Sequence, residues 1–376
     1  MEHYLDNAAT TKVCPEAVQA AMDAMTENYG NPGSTHTRGR SARRLLDASR
    51  KTVAFSLGCK PDELVFTSCG SESDNWAILA GAESMRRKGL HVISSGSEHD
   101  AVRKSLDELE RRGFEVTRLK PGVTGEICPS DVERALREDT VLVSLMMVNN
   151  ETGSVTDIAS VARILRENRS TALLHTDAVQ AFMKVPFRAA SLGADLISIS
   201  GHKIHAPKGI GALYIRSGLK LAPFLVGGGQ ENGRRAGTEA MPQIAAFAAA
   251  CSAAEDASRY ALPRMNELRN TVIQRLGRSI PGFTVIGGGA PHILSISVPG
   301  IRSEVLMNFL EAREIYISKS SACKRGGRSH VLESMGLNPG IIDCAVRIGL
   351  SRFTNDADIE ALCEGILDAR ARLAHS

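Results

Sequence analysis

The sequence predicts an α/β fold: a mostly parallel sheet covered by helices on both faces, followed by a smaller α+β unit. Three observations carry this expectation. Short apolar, β-rich runs alternate with helical patterns through the first two-thirds of the chain, the mark of β-α-β units. The last third loses that alternation. The length of 376 residues suffices for one large unit plus a smaller one, each with a filled core.

Taken in order, Glu63–Thr67, His91–Ser94, Glu115–Leu119, Val141–Met146, Ala172–Thr176 and Leu196–Ser200 read as short buried strands. Between them, Glu72–Lys88, Val102–Arg112 and Ile158–Arg169 have helical periodicity. Pro223–Gly237 is too rich in glycine and proline for a regular element, and a helix is expected from about Met241 to Ser258. A further helix follows, then strands near Phe283–Ile286 and His292–Val298, a helix over Ser303–Glu311 and a terminal helix after Asp356.

Composition narrows the function classes. Hydrophobic residues make up 43% and charged residues 23%, ordinary for a globular protein. A formal net charge of +3 is too small to argue for a nucleic-acid or membrane partner, and neither is expected. Residues Met1–Asp6 do not read as a signal peptide, and the alanine-rich run Ile244–Cys251 is too short to span a bilayer. A cytoplasmic location is expected. The eight cysteines include no Cys-x-x-Cys pair, which argues against a zinc ribbon and against a secreted disulfide framework. No metal site is expected.

Open α/β sheets gather ligands at the carboxyl ends of their strands, so the polar residues just beyond each strand are the candidates. After the first comes Ser68-Cys69-Gly70-Ser71-Glu72-Ser73, small residues opening a helix. Serine there is ordinarily a cap, yet free N–H groups and hydroxyls at a helix start also suit phosphate. No G-x-x-x-x-G-K-[ST] occurs, and no G-x-G-x-x-G opens a helix after a strand, which disfavours nucleoside triphosphates and dinucleotides. Later strands are followed by Glu98-His99-Asp100, Asn149-Asn150-Glu151, Asp177 to Gln180, and Ser200-Gly201-His202-Lys203. His202 and His205 have a metal-pair spacing, but the intervening lysine and the lack of a nearby carboxylate speak against a metal. Lys203 is poorly placed to be a solvated charge. A desolvated lysine near other cations has a lowered pKa and can form a Schiff base with an aldehyde. An aspartate on a neighbouring strand could pair with a protonated pyridine nitrogen, and His99 could stack on the ring, as pyridoxal phosphate (PLP) requires.

These residues fall in blocks that resemble the cysteine desulfurases, of the class-V aminotransferase group of fold-type I PLP enzymes. The resemblance runs nearly end to end: Tyr4 to Thr11, Gly30-Asn31-Pro32 and His36, Phe66-Thr67-Ser68, and Glu72 to Asn75. It continues through Glu98-His99, Asn149 to Glu151, Asp177 to Gln180, Ser200 to Lys203 and Pro207 to Tyr214. Arg235 to Thr238, Ser321-Ala322-Cys323 and Arg347 to Arg352 complete it.

The resemblance implies a seven-stranded, mostly parallel sheet in a large unit over residues 15–258. A small unit would combine 1–14 with 259–376 and carry the nucleophile cysteine. By the same resemblance Lys203 would bind PLP and shuttle the α-proton of L-cysteine. Asp177 would hold the pyridine nitrogen, Gln180 the ring hydroxyl, and His99 would stack on the ring. Ser71, Ser200 and His202 would bind the phosphate, with the Gly70 amide nearby. Thr238 would reach the phosphate of the partner subunit in a homodimer. Arg352 and Asn150 would hold the substrate carboxylate. Cys323 would take the sulfur as a persulfide, leaving alanine, and pass it to an acceptor protein for iron–sulfur assembly or for tRNA and cofactor thiolation. Lys319, Lys324, Arg325 and Arg328 would favour the thiolate if they point inward; a solvated loop is the other reading.

Three departures from the family pattern stand out. Cys69, Gly70 and Ser71 replace the usual Gly, Ala and Thr, and Ser71 keeps a hydroxyl. Gly33 stands where serine is common. The segment around Cys323 has Ser320 for a usual glycine and is shorter and more basic after the cysteine than in the branch dedicated to scaffold proteins. A selenocysteine lyase and a plain class-V aminotransferase are the alternative enzyme readings, although Ser321-Ala322-Cys323 favours the desulfurase. A silent scaffold would be expected to lack Lys203 or Asp177, and both are present.

Overall fold

The computed structural model describes residues 2–319 and 327–373. A seven-stranded sheet runs in the order Leu64–Thr67, Gly211–Ile215, Leu196–Ser200, Leu173–Asp177, Thr140–Ser144, His91–Ser95 and Glu115–Leu119. Gly211–Ile215 is antiparallel to both its neighbours, and the other strand pairs are parallel.

Alternate residues along these strands pack into different clusters, as the two-residue period of a strand requires. Val65, Val92, Leu142, Leu173, Leu196 and Leu213 face one side, under Trp76, Ile78, Val102 and Leu106 of the helices Gly70–Met85 and Asp100–Arg111. Phe66, Ile93, Val143, Leu174, Ile197 and Ala212 face the other. There they meet Leu46 and Val53 of Thr37–Leu57, Val161 and Leu165 of Ile158–Glu167, and Phe247. Burial on both faces is why these strands read as continuous apolar runs.

A four-stranded antiparallel sheet, in the order Ser318–Lys319, Ala345–Gly349, Ile293–Ser297 and Thr284–Ile286, forms the second layer system. The helix expected to end near Ser258 instead runs unbroken from Met241 to Ser279, through an exposed Pro263. Its first half packs at Ile244, Phe247 and Cys251 into the core of the large sheet. Its second half packs at Leu268, Val272 and Leu276 against Ile296, Leu306 and Leu362 of the second core. Residues 258 and 259 therefore lie within one continuous helix that serves both cores. Among the described residues, no helix is long and apolar enough to cross a membrane.

Candidate active site

The carboxyl ends of the parallel strands converge on a cavity of about 340 Å³. Gly70, Ser71, His99, Asn150, Asp177, Gln180, Ser200, His202 and Lys203 all line it, as do Ala8 and Ala9 from the N-terminal segment. The volume lies in the usual range for small-molecule and cofactor sites.

Lys203 sits in the short turn after Leu196–Ser200, and its Nζ donates to the carbonyls of Ala8 and Ala9, both at 2.7 Å. Burial, with the Arg347 guanidinium as the next cause, lowers its pKa to about 8. A lysine so placed reaches the free amine, the form that condenses with an aldehyde, at a pH well below the one a solvated lysine needs.

Asp177 ends the next strand, and its carboxylate accepts the Val179 N–H at 2.9 Å. Burial raises its pKa, and the charges of His99 and Lys203 oppose that rise. Asp74 lies behind it, pushed well above the ordinary range first by burial and then by Asp177. Two carboxylates buried together resist ionising at once, and the opposite charges of His99 and Lys203 favour the charged form of Asp177. His175, 3.6 Å from Asp74, is held down to about 3 by burial and is neutral, bonded to Ser144 and Ser198 at 2.8 and 3.0 Å.

His99 caps the helix Asp100–Arg111 by accepting the Ala101 N–H on Nδ1 at 3.1 Å. In the neutral ring the proton therefore sits on Nε2. Gln180 donates to the Ala8 carbonyl at 2.8 Å. His202 hydrogen-bonds Thr10 Oγ1 at 3.2 Å, and burial, then Lys203, lowers its pKa to about 3.

PLP fits this arrangement. The Ser200 hydroxyl is buried in the cavity wall with no hydrogen-bond partner among the described residues. Beside it the helix Gly70–Met85 begins without a side-chain cap, so its first N–H groups are available to a phosphate. A Cβ on Gly70 would stand 2.7 Å from Val179 Cγ2, so a larger residue there would crowd the helix start. Lys203, Asp177 and His99 supply the amine, the carboxylate and the ring that PLP needs.

The structure separates two residues that the motif reading joined. Arg352 does not line this cavity. It lies in the turn beyond the strand Ala345–Gly349 and faces a separate cleft with Lys184 and His205. Arg347, inside that strand, is the arginine of the cavity. Its Nη1 donates to the Asn150 carbonyl at 2.8 Å, its Nη2 to Asp6 at 3.0 Å, and its Nε is buried without a partner. The sequence signal was an arginine set in the apolar run of a buried strand. Glu98, a strand-end residue within a motif block but given no role by the sequence, is fully buried, accepts from Ser95 Oγ at 2.6 Å and Met146 N at 3.1 Å, and is raised to about 8 by burial. Thr238 is exposed and outside this chain's cavity. Cys323 lies outside the described residues, as do Ser321, Ala322, Lys324 and Arg325. Beyond them, Ser329 donates to Glu151 and His330 bonds the Glu98 carbonyl at 3.0 Å, which brings residues 329 and 330 to the cavity's edge. Of the basic residues near Cys323, Lys319 pairs with Glu304 and Arg328 with Asp343, at 2.7 and 2.8 Å, so both are partly neutralised.

Comparison with known proteins agrees with this geometry. The family model for aminotransferase class-V matches residues 3–362. A cysteine desulfurase IscS of Methanosarcina thermophila is 40% identical over 366 residues, covering 96% of this chain and 90% of that protein. A solved NifS-like protein superposes with a TM-score of 0.93 at 35% identity, covering 99% of this chain and all of the other. The structure of SspA in complex with cysteine gives a TM-score of 0.82 at 29% identity, over 94% of this chain and all of that one.

Proposed function

The chain belongs to the class-V aminotransferases and is a PLP-dependent enzyme of the cysteine desulfurase group, and from that premise we propose that it converts L-cysteine to L-alanine with Cys323 as sulfur acceptor. The observation that carries the reading is the convergence of Lys203, Asp177, His99 and Arg347 on one cavity. The cysteine held in the SspA structure supports the choice of substrate.

When bound, PLP supplies an electron sink that makes the substrate's α-proton acidic and its carbon–sulfur bond breakable. The chain's own residues do the rest. Asp177 holds the pyridine nitrogen and Gln180 the ring hydroxyl. Ser71, Ser200, His202 and the Gly70 amide hold the phosphate, and His99 stacks on the ring. Arg347, supported by Asn150, holds the substrate carboxylate, a role its cavity position favours over Arg352. Lys203 Nζ, a free amine above about pH 8, takes the α-proton. The Cys323 thiolate attacks the substrate sulfur to form a sulfur–sulfur bond. The electron pair of the broken carbon–sulfur bond stays with carbon, which is protonated on the way to alanine.

The persulfide would then pass to an acceptor protein of iron–sulfur assembly or thiolation in the cytoplasm. We propose a homodimer as the working form. Val18, Met22, Met25 and Tyr29 recur at helical spacing along and just beyond Pro15–Thr26 and stay exposed, as do Leu225 and Val226, which offers apolar surface for a partner subunit. Thr238, exposed nearby in sequence, is free to reach a partner's phosphate.

The test is a Cys323→Ser variant assayed beside the wild type for alanine and sulfide. The variant is expected to bind PLP and stay yellow while losing production of both. Full-rate turnover by the variant would remove Cys323 from the mechanism.

A further inference from the structure

A second, basic cleft lies behind the cofactor cavity. Lys184, His205, Ser351 and Arg352 line it against Ala257 and Met265 of the helix Met241–Ser279, and its volume is about 40 Å³. That is room for a water or a small ion and not for an amino acid.

Its charges are unbalanced. Lys184 is 8% exposed, and neither its Nζ nor the buried Nη1 of Arg352 has a hydrogen-bond acceptor among the described residues. The neighbouring polar groups are already engaged: His205 Nδ1 bonds the Lys12 carbonyl at 2.8 Å, and Ser351 Oγ accepts the Phe353 N–H at 3.2 Å. The ionisable groups around Lys184 are basic, namely Lys203, His202, His205 and His292. Glu16, on the helix Pro15–Thr26, is the carboxylate that feels Arg352.

A buried cation without a partner is costly, and Arg352, half-buried over the Phe353 ring with its Nη1 turned inward, adds a second positive charge to the same cleft. Lys184 could shed its proton, since burial brings its pKa down to about 7. Arg352 has no such escape, because a guanidinium stays charged in proteins. We propose that Lys184 and Arg352 together bind a small monovalent anion of halide size in this cleft. The anion satisfies both orphaned donors and offsets the positive charge behind Lys203. The site is independent of the desulfurase reading, since it uses neither the substrate nor Cys323.

The holoenzyme tests it in two ways, with bromide and chloride as probes. Crystals grown in sodium bromide should show an anomalous peak within hydrogen-bond distance of Lys184 Nζ and Arg352 Nη1. In solution, sodium gluconate is replaced by chloride at constant ionic strength while the melting temperature is followed. The expected rise is about 2 °C per tenfold chloride above its dissociation constant. Lys184→Met and Arg352→Gln should each abolish that response. Should either variant fail to fold, the wild-type chloride series and the bromide map decide alone. Equal stability in chloride and gluconate overturns the proposal, with or without bromide density in the crystal. So does a chloride response that persists unchanged in Lys184→Met.

Discussion

At the scale of single residues, the chemistry turns on how Lys203 is held. Burial and the Arg347 charge both act against its protonated form. The free amine therefore predominates above about pH 8, and the protonated form below it. Association of PLP with the apoenzyme should accelerate as pH rises through that value and then level off. Arg347→Gln removes the neighbouring cation, so Lys203 should titrate higher and the whole profile should move to higher pH. Rapid-mixing absorbance across a pH series reads this directly; an unmoved profile would show that Arg347 does not act on Lys203. Lys203, Asp177 and His99 were legible in the sequence because each is a polar residue placed just where a buried strand ends. Arg347 was not, because it lies within a buried strand, where pattern reading expects only packing. The motif block drew attention to Arg352 instead, five positions on and beyond the strand.

At the scale of elements, irregular segments matter as much as regular ones. The stretch 223–237 is tied down by two ion pairs. Glu231, buried and at φ +49°, accepts from Arg50 at 2.6 and 2.8 Å and from the Phe66 N–H at 3.0 Å. Arg235 pairs with Glu72 at 2.9 Å, in the first turn of the helix that begins at Gly70. Replacing Glu231 by Gln leaves Arg50 with an unpaired, mostly buried charge and should cost about 3 kcal/mol of stability. Urea denaturation of the two proteins measures it, and a loss below about 1 kcal/mol would mean that the segment is held by other contacts. The strands read from apolar runs recur in the fold within one or two residues. Gly211–Ile215 was missed as a strand because it returns antiparallel without a helix before it, breaking the alternation. The helix Thr37–Leu57 was missed because its arginines hide a regular buried series at Gly39, Ala42, Leu46, Ser49, Val53 and Leu57. Spacings of three and four would have revealed it.

At the scale of the whole molecule, the cavity draws on both sheets. The large sheet supplies Asp177 and the turn that carries Lys203, while the four-stranded sheet supplies Arg347. The N-terminal segment closes the cavity at Ala8 and Ala9, which is why the first residues carry part of the family pattern. The alternation of strands and helices made the large sheet legible. The second sheet was less so, since its strands pair across long sequence separations, as between Ile293–Ser297 and Ala345–Gly349. The thiol of Cys69 lines this cavity and makes the destination of the sulfur a question of measurement. The most direct experiment is a single turnover with L-cysteine in the absence of added thiol, followed by peptide mass spectrometry and alanine assay. One alanine per active site and one extra sulfur atom on the peptide containing Cys323 are expected. Alanine formed with the extra sulfur on Cys69, or on no cysteine, would contradict that expectation.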